Sequence, residues 1–144
     1  MIEKDTIRLL RECDAGIKMG ISSIYDVLGY ISNEDLRSEL TIYKDKHEKL
    51  KEEIYTLLDK YHDDGKEPNP VAKGMSWMKT NMKLVMNESD ETIADLMTDG
   101  ANMGVKSLTK YLHEYQAADE KSKDFAKRLI KLEEKMAEDM RKYL

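Results

Sequence analysis

The chain is predicted to be all-α: an antiparallel four-helix bundle made of two related helical hairpins, joined by a long crossover that contains a short helix. Three observations predict it. Apolar residues recur at steps of three and four over long stretches, and no window alternates with the period of two that a strand requires. The two prolines, Pro68 and Pro70, stand together in the breaker cluster Asp63-Asp64-Gly65-Lys66-Glu67-Pro68-Asn69-Pro70. A segment before that cluster, Gly16 to Ile24, has a counterpart after it, Gly100 to Leu108.

Helix 1 is predicted over about residues 4–30, where Ile7, Leu10, Ile17, Ile21, Ile24, Leu28 and Ile31 follow helical spacing. Ser32, with Asp35 three positions on, reads as the N-cap of helix 2, predicted over about 33–62. There Leu36, Leu40, Tyr43, His47, Leu50, Ile54, Leu57 and Tyr61 form an almost unbroken inward stripe. Hairpin 1 thus occupies about 4–62 and the crossover about 63–89. Within the crossover, residues 71–86 read as a short helix with Met75, Met78, Met82 and Met86 on one side. Hairpin 2 follows over about 90–144. Its first helix, about 90–115, carries Ile93, Met97, Gly100, Gly104, Leu108, Tyr111 and Tyr115. Its second, from near Asp119, carries Phe125, Leu129, Leu132, Met136, Met140 and Tyr143.

A length of 144 residues fits a single domain with a core of its own. Charged residues make up 37% of the chain, and aromatic ones only 7%, so the core must be built from Leu, Ile, Met and Ala. A net charge of -5 argues against nucleic-acid binding, which needs a clustered positive face. Runs such as Lys44-Asp45-Lys46-His47-Glu48-Lys49 alternate in sign as solvated helix faces do. No stretch approaches the roughly 18 apolar residues of a membrane span, so no membrane partner is expected. The single cysteine, Cys13, excludes an intrachain disulfide, and the expected setting is cytoplasmic. Cys13 also precedes an acid, which disfavours a thiolate nucleophile.

The repeat aligns Gly16-Ile17-Lys18-Met19-Gly20-Ile21-Ser22-Ser23-Ile24 with Gly100-Ala101-Asn102-Met103-Gly104-Val105-Lys106-Ser107-Leu108. A glycine inside a helix costs about 0.5–1 kcal/mol relative to alanine, so Gly16, Gly20, Gly100 and Gly104 require a reason. The packing reason is close approach of another backbone, or room for a bulky neighbour such as Tyr43 or Trp77. A membrane dimerisation face fails on the surrounding lysines and serines. A small-molecule cavity left by the paired glycines is a further alternative.

A complete di-metal site of the four-helix type needs a Glu-x-x-His on each of two helices, and none occurs here. His47 lies mid-stripe, and folding the helices back places Asp14, Asp99 and Glu133 at a similar depth. Asp14, His47, Asp99 and Glu133 are therefore the candidate ligands of a single transition-metal ion. The plain packing alternative is a buried His47 hydrogen-bonded to Asp14 or to a tyrosine hydroxyl. The thioethers of Met75, Met78, Met82 and Met86 suit Cu(I), but an apolar underside of a crossover helix explains them as well. Together with Trp77 they are candidates for a contact surface.

Several segments carry a resemblance. Helix 1 has Leu9-Leu10-Arg11-Glu12-Cys13-Asp14-Ala15-Gly16, and the crossover has Gly65-Lys66-Glu67-Pro68, then Trp77, Lys79 and Leu84. Helix 3 has Asp90-Glu91-Thr92-Ile93 leading to Asp99-Gly100. Together these resemble an uncharacterised bacterial branch of the ferritin-like superfamily, grouped as a domain of unknown function. The resemblance implies the antiparallel bundle with a long crossover and no assigned activity. Ala101 stands where members of that branch would place a glutamate, so the metal ligands are degenerate. The expected function is a non-catalytic ferritin-like bundle without cofactor, acting through a protein partner or as a homo-oligomer. The alternative is a metal-binding or redox protein using the four candidate ligands.

Overall fold

The computed structural model describes residues 4–68 and 89–144. Four helices run in the order α1 (Lys4–Leu28), α2 (Glu34–Asp59), α3 (Asp90–Glu114) and α4 (Glu120–Met140), with a closing 3-10 turn at Arg141–Tyr143. There is no strand among the described residues. The architecture is the predicted all-α four-helix bundle. The crossover helix expected over 71–86, with Met75, Trp77, Met78, Met82 and Met86, lies outside the described residues.

Local chemistry explains the helix starts. The N-cap of α2 is Asn33, not the expected Ser32: its side chain accepts from the amides of Asp35 and Leu36 at 2.8 and 3.2 Å. Ser89 caps α3 through the Thr92 amide, and Asp119 caps α4 through the Ser122 amide. Helix α2 ends at Asp59, earlier than the stripe suggested, and His62 beyond it takes a left-handed conformation at φ 54°.

The direction of each helix follows from contacts at the bundle ends. The amides of Ser32 and Asn33 donate to the Asp90 carboxylate at 2.9 and 3.1 Å, which joins the α1–α2 turn to the start of α3. At the other end Thr6 accepts from the Asp119 amide at 2.8 Å, and Asp5 from the Ala117 amide at 3.1 Å. Helix α1 therefore runs antiparallel to α2 and α3, and parallel to α4. The chain leaves α2 at one end of the bundle and enters α3 at the other.

Packing is most extensive within each hairpin, α1 on α2 and α3 on α4. Between hairpins α1 contacts both α3 and α4, whereas α2 meets α4 at few points. The apolar interior has two parts. One contains Leu9, Ile17, Leu50, Ile54, Leu108, Phe125 and Leu129; the other contains Ile24, Leu36, Tyr43, Ile93, Ala101, Met136 and Met140. Each helix passes through both. Residues between Ile17 and Ile24, Tyr43 and Leu50, Ala101 and Leu108, and Leu129 and Met136 form the waist of the bundle.

Candidate functional site

Four residues meet at that waist: Gly20, His47, Gly104 and Glu133. His47 is wholly buried and Glu133 only 6% exposed. The inward stripe of α2 continues from Tyr43 through His47 to Leu50, and that of α4 from Leu129 through Glu133 to Met136. Each polar side chain thus occupies a position where its helix otherwise places an apolar one. Burial of this kind is tolerated only when hydrogen bonds replace water.

They do. Nδ1 of His47 lies 2.7 Å from the Tyr43 carbonyl oxygen, and Nε2 lies 2.6 Å from Oε1 of Glu133. A carbonyl can only accept, so Nδ1 carries a hydrogen. A single proton then sits between Nε2 and the Glu133 carboxylate. Burial works against a charged imidazole, but the hydrogen bond and charge of Glu133, with the Tyr43 carbonyl, outweigh it and raise the His47 pKa above its ordinary value.

The glycines make the space. A Cβ at Gly20 would lie 2.8 Å from Cδ2 and 2.9 Å from Nε2 of His47, so only glycine admits the ring. At Gly20 the neighbour that needs room is therefore His47, where the sequence suggested Tyr43 or Trp77, the latter outside the described residues. At Gly104 a Cβ would meet the Glu133 side chain at 3.5 Å, an ordinary contact. Gly16 and Gly100 differ: a Cβ at either would meet nothing within 4 Å among the described residues. No neighbour among the described residues accounts for them.

Two of the four candidate metal ligands, His47 and Glu133, come together, and the other two do not join them. Asp14 is buried, but its Oδ2 accepts from Lys18 Nζ at 2.9 Å and from the Lys66 amide at 3.0 Å. Its Oδ1 is buried without a hydrogen-bond partner among the described residues. Asp99 lies on the exposed side of α3. Helix geometry gives the reason. At ~100° per residue, Asp14 is turned about 120° from Gly20, and Asp99 about 140° from Gly104. The partner of His47 is thus Glu133, not Asp14 or a tyrosine hydroxyl. Among the described residues no three His, Cys, Asp or Glu side chains form a group that could hold a metal ion. With Nδ1 and Nε2 both engaged and a lysine against Asp14, these residues do not fit one.

A second polar cluster, absent from the sequence reading, surrounds Asp14. Residues 63–68 lie against α1 as a strap. Arg11 grips Asp63 with Nε and a terminal guanidinium nitrogen, the closest contact at 2.6 Å, and holds its carboxyl below the usual value. Glu12 pairs with Lys66, and Lys18 Nζ reaches Glu67 at 3.0 Å. Gly65, at φ 85°, allows the strap to turn directly over the Asp14 carboxylate. Glu12 and Asp14 thus meet Lys66 and Gly65, residues of the two segments that carry the resemblance. The available signal was Gly65 within a run of charges that alternate against those of Arg11 to Lys18.

Cys13 is buried beside this cluster. Burial, then the charges of Glu12 and Asp14, push its thiol far up and leave it protonated. No helix of the described residues is long and apolar enough to cross a membrane. No family model, curated protein or solved structure matches the chain.

Proposed function

We propose that this chain is a non-catalytic, ferritin-like helical bundle that acts through protein contacts, self-association first among them. The observation that carries the proposal is the closure of its central polar site. The two ring nitrogens of His47 are satisfied by Tyr43 and Glu133, and the ring is sealed from solvent. A general base or a ligand needs a free lone pair that a substrate or ion can reach, and this imidazole offers none.

The outer surface supplies what the interior lacks. Tyr25 is 71% exposed on α1 and Met103 68% exposed on α3, two helices that pack on each other. Tyrosine and methionine are favoured at protein interfaces. A cytoplasmic location suits a lone buried thiol.

Sedimentation velocity at micromolar to millimolar concentrations tests the reading, with metal analysis of the same sample. Dimers or larger species that dissociate in a Tyr25→Asp, Met103→Asp double variant are expected. A strict monomer, or stoichiometric metal that disappears in His47→Ala, would overturn it.

A further inference from the structure

We infer that His47 and Glu133 form a pairing key, by which the first hairpin selects the second hairpin over another copy of itself. The inference is independent of whether the assembled bundle self-associates.

Three features carry it. First, equivalent helices touch across the hairpin interface: α1 packs on α3, as it also does on α4, and α2 meets α4 at few points. Where α2 meets α4 at the waist, a residue of one hairpin meets the residue at the corresponding place in the other. Second, the two hairpins are alike at the waist. In each, the first helix turns a glycine toward an ionisable side chain of the second, Gly20 toward His47 and Gly104 toward Glu133. Third, the two ionisable groups differ, and they touch each other at 2.6 Å across the hairpin interface.

The chemistry then discriminates. A histidine and a carboxylate that share one proton are neutral as a pair. Two copies of the first hairpin would bring two imidazoles together, and holding a proton between them would bury a positive charge. Two copies of the second would bring two carboxyl groups together, and sharing one proton would bury a negative charge. An uncompensated charge in a dry core is strongly unfavourable, so opposite chemistry at like places rejects both wrong partners. No other described charge is positioned to compensate. Around the waist α1 contributes Gly20 between Ile17 and Ile24, and α3 contributes Gly104 between Ala101 and Leu108. Tyr43 of α2 turns its hydroxyl away to Asp139, and Lys18 of α1 is bound to Asp14 and Glu67.

The full-length chain allows the wrong pairings to be built within one molecule. His47→Glu places two carboxyl groups at the waist, Glu133→His places two imidazoles there, and the double exchange restores one of each. Melting temperature followed between about pH 5 and pH 9 by circular dichroism is the readout. Each single variant is expected to melt about 10 °C or more below the wild type at neutral pH. Their pH profiles should slope oppositely, His47→Glu losing stability as pH rises and Glu133→His gaining it. The double exchange should recover most of the loss and the wild-type sign of the profile. Parallel profiles for the single variants, or a double exchange no more stable than the weaker of them, would overturn the pairing key. Should a single variant stay unfolded throughout, the double exchange decides: folding supports the key and failure to fold refutes it.

Discussion

The ring of His47 closes on α1 at Gly20, so tightly that a Cβ there would lie 2.8 Å from Cδ2. The ring cannot step aside, because Nδ1 is held by Tyr43 and Nε2 by Glu133. Alanine at position 20 must therefore displace the pair or the helix. Overpacking of this kind costs about 1–3 kcal/mol, more than the ~1 kcal/mol that alanine returns in helix propensity.

The four helical glycines thus separate into classes that a single substitution series measures. Gly20→Ala should lower stability by up to about 2 kcal/mol after its propensity gain. Gly16→Ala and Gly100→Ala, with nothing within 4 Å among the described residues, should each raise it by about 0.5–1 kcal/mol. Gly104→Ala should fall between, near neutral. Urea unfolding midpoints of the four variants check the order, and a stabilising Gly20→Ala would remove the steric account of the waist.

Gly65 sits over Asp14 with φ 85°, so a side chain there meets both backbone strain and the carboxylate. Gly65→Ala should cost about 1–3 kcal/mol and lift the strap from α1. Asp14→Ala should loosen the same segment from the other side, by removing the acceptor of the Lys66 amide. Faster hydrogen exchange at Lys66 in each variant, with the helix amides unchanged, is the expected result.

The helices were legible because burial follows the 3.6-residue period. Leu36, Leu40, Tyr43, His47, Leu50, Ile54 and Leu57 of α2 are all buried, as the stripe requires. His47 could be placed inside on that ground alone. Its partner could not, since Glu133 is 86 residues away and the choice among Asp14, Asp99 and Glu133 depends on how each helix is rotated. The hidden variable for the glycines was similar. Gly16 and Gly20 are one turn apart, yet among the described residues only Gly20 faces a ring, because sequence spacing does not report the depth of the opposing side chain. The strap escaped notice because Asp63 to Pro68 reads as a helix breaker. Its contacts with Arg11, Asp14 and Lys18 depend on tertiary placement that local signals do not encode.

The pH dependence of stability carries a sign that follows from the site. The His47 pKa is raised on folding, with Glu133 overcoming the opposing effect of burial. Its contribution is then complete below the unfolded value, about 6.5, and is lost as pH rises through the folded value. Melting temperature should accordingly fall on the alkaline side of neutrality. Glu133→Gln leaves burial to dominate, so His47 should become neutral and the alkaline loss should vanish. Titration of the His47 ring by nuclear magnetic resonance, in the two proteins, checks the assignment. Equal midpoints would detach the effect from Glu133.

Helix α2 meets α4 at few points, and two of them make a useful contrast. Arg128 binds Glu53 through two hydrogen bonds of 2.6 and 2.9 Å at the surface, with the Arg128 side chain 54% exposed. His47 binds Glu133 in the interior. The surface pair has better geometry, but water screens it and competes for each partner, so Glu53→Ala should cost less than about 1 kcal/mol and lose that effect in salt. Glu133→Ala deletes half of a sealed pair and leaves Nε2 of a buried imidazole without its hydrogen-bond partner, which should cost about 3–5 kcal/mol at neutral pH and be insensitive to salt. Denaturant unfolding at low and high ionic strength distinguishes the two. A salt-sensitive Glu133→Ala would mean that water reaches the waist, and the closed character of the central pair would have to be abandoned.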